Sequence, residues 1–217
     1  MSGPDSNTLG HRLSRMVGNP LFWVIWVGLI FTTTIVRAVT NSVPEPPPVL
    51  GEVPAFELVN EKGEPYGSDQ LQDRIWVANF IFTRCTTVCP IFTGKMGEIQ
   101  HSVRNLKPAI QLVSFSVDPE YDTPEVLKAY AYDHRASPRL WTFLTGPIPD
   151  VRAAVVNGLK TSMGQDTPNN PESIFHGSHF VLVDAAMQIR GLYDVNDQET
   201  KKALMMDIQL LAAELTF

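Results

Sequence analysis

Two cysteines, Cys85 and Cys89, are the only thiols in 217 residues, and three positions separate them. A pair this isolated is rarely a scaffold, because one bridge closing so short a loop removes little entropy from the unfolded chain, and the plain alternative to chemistry is an inert disulfide or two buried thiols. A basic excess is missing too. Lys and Arg number 17 against 23 Asp and Glu, a formal net charge of −6, so the chain lacks the cationic character with which proteins hold nucleic acid. There are no internal repeats, and the bulk composition, 44% hydrophobic and 18% charged, carries no signature of disorder. What remains is a globular chain with room for one full domain and an appendage.

Long hydrophobic runs are also absent, with one exception. Leu21 to Val36 (LFWVIWVGLIFTTTIV) holds no charge. Extended to Val39, with Arg37 free to snorkel, it approaches the roughly 20 residues that span a bilayer. Trp23 and Trp26 suit an interfacial belt. A cleaved signal peptide would have a shorter apolar region and a better cleavage site than Ala38-Val39-Thr40. A buried core helix would seldom run straight into a proline-rich segment. No cysteine near the N-terminus offers a site for a lipid. The expectation is a cytoplasmic tail at 1–19, an uncleaved transmembrane helix at 20–39, a linker at 40–50 and a domain at 51–217. Arg12 and Arg15 before the span, against Arg37 after it, favour a cytoplasmic N-terminus. The domain then faces the periplasm from the inner membrane. Those three basic residues and Asp5 lie in the first 42 positions, leaving 14 basic against 22 acidic residues outside, a balance compatible with a cationic ligand.

The stretch Asn41 to Leu50 (NSVPEPPPVL) reads as a stiff spacer. Two short β-like runs follow, at 55–59 and 64–67. Ile75 to Phe82 (IWVANFIF) is apolar enough for a central strand buried on both faces. Helical spacing runs from Pro90 to about Leu106, and proline fits a first turn. A strand is expected at 111–117, and a helix capped by Thr123 with Pro124 behind it. A strand at 141–144, a helix at 149–158, a hairpin of 180–183 with 188–193, and a helix from Asp197 to about Leu215 complete the series. The order describes an α/β domain on one sheet.

Cys85-Thr86-Thr87-Val88-Cys89-Pro90 therefore sits at a strand-to-helix junction. At i and i+4 the cysteines are expected to share a helix face, close enough to bind one ion or form a disulfide. The helix terminus and Arg84 are expected to favour thiolate, which soft ions such as Cu(I) select. A third ligand must come from five histidines. His11 falls on the cytoplasmic side, and His101 and His134 read as surface residues. His176 and His179 immediately precede a strand whose leading loop, in a thioredoxin-like arrangement, packs beside the cysteine helix.

At this point the sequence resembles the Sco/SenC family of copper-binding assembly factors. The matching pieces are Cys85-x3-Cys89-Pro90 after a strand, Ser116-Val117-Asp118-Pro119-Glu120-x-Asp122-Thr123-Pro124, Trp141-x2-Leu144-Thr145-Gly146, and His176 in HGSHFVLVD. The resemblance implies a thioredoxin-like fold with extra N-terminal strands, and copper held by Cys85, Cys89 and His176, with His179 ranked second. It implies a metallochaperone whose acceptor is the dinuclear copper site of cytochrome c oxidase, or another copper protein. Two departures stand out. The family commonly places Pro-Asp near its cysteines and Asp before the histidine, where this chain has Thr86-Thr87 and Phe175.

A thiol–disulfide reductase acting through Cys85 and Cys89 is the alternative. Against it, thioredoxin-type enzymes separate their cysteines by two residues and place proline where this chain has Gly177-Ser178-His179. A peroxiredoxin needs proline at Phe82, and a catalytic zinc site lacks a carboxylate close to the cysteines. The acidic string Asp118 to Asp122 reads as a strand-to-helix turn, with Asp122 or Thr123 as cap.

Overall fold

The computed structural model describes residues 18–40, 45–85, 89–106, 109–166 and 174–215. Residues 1–17 of the tail expected at 1–19, with His11, Arg12 and Arg15, lie outside them, as do Thr86, Thr87 and Val88. The chain divides into two units, Met1–Glu45 and Pro46–Phe217.

Among the described residues of the first unit, helix α1 (Pro20–Thr40) covers the expected span. Asn19 opens it by accepting the Leu21 N–H at 3.0 Å, and Pro20 follows in the first turn. Its 21 residues rise about 30 Å, the thickness of a hydrocarbon core. Thr32, Thr33 and Thr34 donate their hydroxyls to the carbonyls of Gly28, Leu29 and Ile30, at 2.8, 2.8 and 2.7 Å. Each hydroxyl in the apolar run is thereby satisfied within the helix, as a water-free setting requires.

The second unit is built on an eight-stranded mixed sheet. Its strands are β1 (Gly51–Glu52), β2 (Glu57–Asn60), β3 (Pro65–Gly67), β4 (Ile75–Ile81), β5 (Ile110–Ser116), β6 (Trp141–Thr145), β9 (Phe180–Val183) and β10 (Gln188–Tyr193). They lie in the order β1-β10-β9-β4-β5-β6-β2-β3. The parallel core β4-β5-β6 is buried throughout, which is why those segments read as continuous apolar runs. A separate hairpin pairs β7 (Met163–Gln165) with β8 (Ile174–His176). Helices α3 (Cys89–Val103), α4 (Pro124–Asp133) and α6 (Gln198–Glu214) cover one face through Phe92, Met96, Ile99, Leu127, Leu204 and Ile208. The other face receives Leu71 of α2 (Ser68–Leu71) and Val151 of α5 (Ile148–Arg152), which continues into a π-helical turn at 153–158. This is the thioredoxin-like fold with added N-terminal strands.

The folded unit begins at Pro46 rather than at Gly51. Pro47 is buried, and its carbonyl accepts both Nε (2.8 Å) and Nη2 (2.5 Å) of Arg190. Nη1 of Arg190 pairs with Asp184 at 2.7 Å. Leu50 N–H donates to the Ile189 carbonyl at 2.8 Å. The second half of the expected spacer is therefore docked along the sheet edge. A linker proline gives up no ladder bond there, since its carbonyl is the group recruited.

Candidate metal centre

Strand β4 ends at Ile81, and the chain turns at once. Cys85 N–H donates to the Phe82 carbonyl at 3.2 Å, so Cys85 lies in a turn and not on a helix. Only Cys89 is helical, as the first residue of α3, followed by Pro90 in the first turn. The expectation that both cysteines share a helix face is thus corrected. The Cys85 sulfur instead accepts the Cys89 N–H at 3.3 Å, taking one of the donors that a helix start leaves without a partner. Cys85 is half-buried and Cys89 fully buried, and no disulfide joins them.

The expected charge environment also differs. Arg84 is engaged by the 118–122 turn. Its Nε and Nη2 donate to Asp118 at 2.9 and 2.6 Å, and its guanidinium lies 4.4 Å from the centre of the Tyr121 ring. Burial pushes the Cys89 thiol up to about 12, so desolvation outweighs the helix terminus.

Of the two residues offered as cap for α4, Asp122 or Thr123, it is Thr123 that caps it, accepting the Val126 N–H at 3.4 Å. Asp122, with no exposed surface, turns back towards the cysteine turn. It accepts the Thr83 hydroxyl at 2.5 Å, the Thr83 N–H at 3.2 Å and the Ser116 hydroxyl at 2.6 Å. Burial raises its affinity for a proton against the pull of these bonds. Asp118 and Asp122 are thus the residues that sequence reasoning missed. The one signal was that a single cap suffices, which left the second acid without a task.

The histidine segment reaches the same edge by topology. β9 runs antiparallel to β4 with Ala78 opposite Val181, so the residues before Phe180 come to the end of β4 that leads into Cys85. Phe180 also packs on Phe92 of α3, ring centres 6.2 Å apart. His176 closes β8 opposite Met163, and Met163 belongs to the same apolar cluster as Cys85 and Cys89. The His176 side chain lies outside the described residues. His179 is exposed beside β9. His101 is exposed as expected. His134, taken as a surface residue, is half-buried at the end of α4, its ring 4.3 Å from Tyr130.

A family model described as SCO1/SenC matches residues 47–212. The chain belongs to the SCO1/SenC family. It is 33% identical over 137 residues to the SCO1 protein homolog of Bacillus subtilis, covering 63% of this chain and 70% of that one. The structure of BsSco, described as a Sco-family cytochrome c oxidase assembly protein with a disulfide switch, superposes with a TM-score of 0.65 at 28% identity, over 79% of this chain and 98% of that one. Yeast Sco1 with copper bound shares the fold, with a TM-score of 0.62 at 22% identity over 75% of this chain and 90% of that one. The motif match start at residue 47 agrees with the docked end of the linker: the Sco domain includes the Pro47 contact.

Proposed function

We propose that this Sco-family chain is a membrane-anchored metallochaperone that binds copper through Cys85, Cys89 and His176. Its role is delivery to the dinuclear copper site of cytochrome c oxidase. The observation that carries the reading is the sulfur pair at the end of β4, with the Cys89 N–H on the Cys85 sulfur at 3.3 Å. Two sulfur donors in a largely apolar setting suit a soft monovalent ion. The antiparallel return of β9 supports His176 as third donor and α1 supports a single-pass anchor, while Arg12 and Arg15 ahead of the helix in sequence favour a periplasmic domain. Anchoring keeps carrier and membrane-bound acceptor in one plane, which raises their effective concentration.

The test is anaerobic titration of the reduced full-length protein in detergent against a competing Cu(I) chelator. One copper per chain, held against the chelator, is expected. His176→Ala weakens binding and changes the Cu(II) spectrum, whereas His179→Ala does much less. Equal losses at the two positions would remove His176 from its assigned place.

Acidity gives a second check. Below a pKa of about 12 the Cys89 thiol of the metal-free domain is protonated, so binding copper as thiolate releases that proton. Lower pH supplies the competing proton and weakens binding. Affinity rises about tenfold per pH unit for each proton displaced, and chelator competition between pH 6 and 8 measures it. A flat profile contradicts thiolate ligation by Cys89.

The unequal exposure of the cysteines favours a second reading, a dedicated thiol–disulfide reductase. The half-buried Cys85 is placed to attack a partner's disulfide, and the buried Cys89 to resolve the mixed disulfide. Failure to compete for copper by a folded, reduced protein makes this the leading function.

A further inference from the structure

We propose that Asp122 is a positioning residue for Cys85: through Thr83, with Asp118 holding Arg84 alongside, it fixes the turn that sets the first sulfur against Cys89. This deepens the reading that Cys85 and Cys89 are the working thiols, and rests on it.

The two residues before Cys85 are each held by one acid from the 118–122 turn. Thr83 is bound twice by Asp122, through its hydroxyl at 2.5 Å and its N–H at 3.2 Å. Arg84 is bound twice by Asp118, at 2.9 and 2.6 Å. Ser116 ties the acids together, donating its hydroxyl to Asp122 at 2.6 Å and accepting the Asp118 N–H at 3.1 Å. A fully buried carboxylate is a costly way to brace a turn, because desolvation opposes its charge and an unbound oxygen is penalised. Among the described residues its side-chain hydrogen bonds go to the cysteine turn and to Ser116. The helix start that follows it is capped by Thr123, the other candidate for that task. The backbone contacts of the turn include the 3.2 Å bond from Cys85 N–H to the Phe82 carbonyl, and the two acids add side-chain contacts on the residues between them. Loss of the Asp122 contacts lets Thr83 move and lowers the effective concentration of one sulfur at the other.

The experiment equilibrates the full-length protein with reduced and oxidised glutathione and reads the Cys85–Cys89 dithiol–disulfide ratio, with Cu(I) affinity measured in parallel. In Asp122→Asn the amide cannot accept every bond that the carboxylate does. The disulfide-forming equilibrium constant is expected to fall about tenfold, equivalent to about 30 mV, and Cu(I) affinity to fall by a similar factor. Ser116→Ala moves both in the same direction by less. Thr123→Ala, which removes the α4 cap without touching Thr83, lowers the melting temperature but leaves the equilibrium unchanged. A folded Asp122→Asn protein with the wild-type equilibrium overturns the proposal, as does an equal shift in Thr123→Ala. Should Asp122→Asn fail to fold, Ser116→Ala decides, and no shift there overturns it. If the wild-type protein takes no copper while Asp122→Asn still shifts the thiol equilibrium, the copper reading falls and the positioning role stands.

Discussion

Cys85→Ser lowers Cu(I) affinity by more than about 100-fold while leaving the domain folded. Removing a group that only supports a ligand costs 10–100-fold in metal affinity, so removing a soft donor itself costs more. Cys85 is the cleaner of the two positions. It is half-buried, and a serine hydroxyl there still accepts the Cys89 N–H that the sulfur takes at 3.3 Å. Cys89→Ser abolishes binding too, but it sets a hydroxyl in an apolar cluster and adds a stability cost. Chelator competition with a parallel thermal melt separates the effects. An affinity within tenfold of wild type in a folded Cys85→Ser protein places the copper elsewhere.

Arg190→Ala destabilises the domain by about 3 kcal/mol, the lower end for breaking a buried pair. The lower end applies because the other oxygen of Asp184 still accepts the N–H groups of Ala186 and Gln188, each at 2.9 Å. In a domain of this size the melting temperature falls by roughly 10 °C. The Pro47 carbonyl loses both of its guanidinium donors, so limited proteolysis gains a site between Pro46 and Leu50. A change of under about 3 °C with no new cleavage shows that the linker is held by its backbone bonds alone.

Most of the fold was legible because its signals are local. Thr123 and Pro124 announce α4, Asp197 caps α6 at its Thr200 N–H, and the burial of β4 follows from an unbroken apolar run. The cysteine pair and its junction were legible for the same reason. What the sequence hid was decided by distance. Whether Arg84 faces the thiols or Asp118 depends on a partner 34 residues away, and whether Asp122 caps a helix or braces Thr83 on one 39 residues away. The thiol's acidity likewise depended on burial, which a helix-terminus argument does not include.

The contact between Pro47 and Arg190 joins residues 143 positions apart, and it bears on how this chain is made. Closure of so long a loop is slow, because the entropy lost precedes the contacts that reward it. A chain emerging N-terminus first presents Cys85 and Cys89 well before Arg190 arrives. During that interval Val181, Val183 and Ile189, which share the apolar cluster with Cys89, are not yet in place, so the thiols are less shielded than in the finished fold. The hazard for this protein is therefore greatest at birth, and what shortens it is rapid delivery of the final strand.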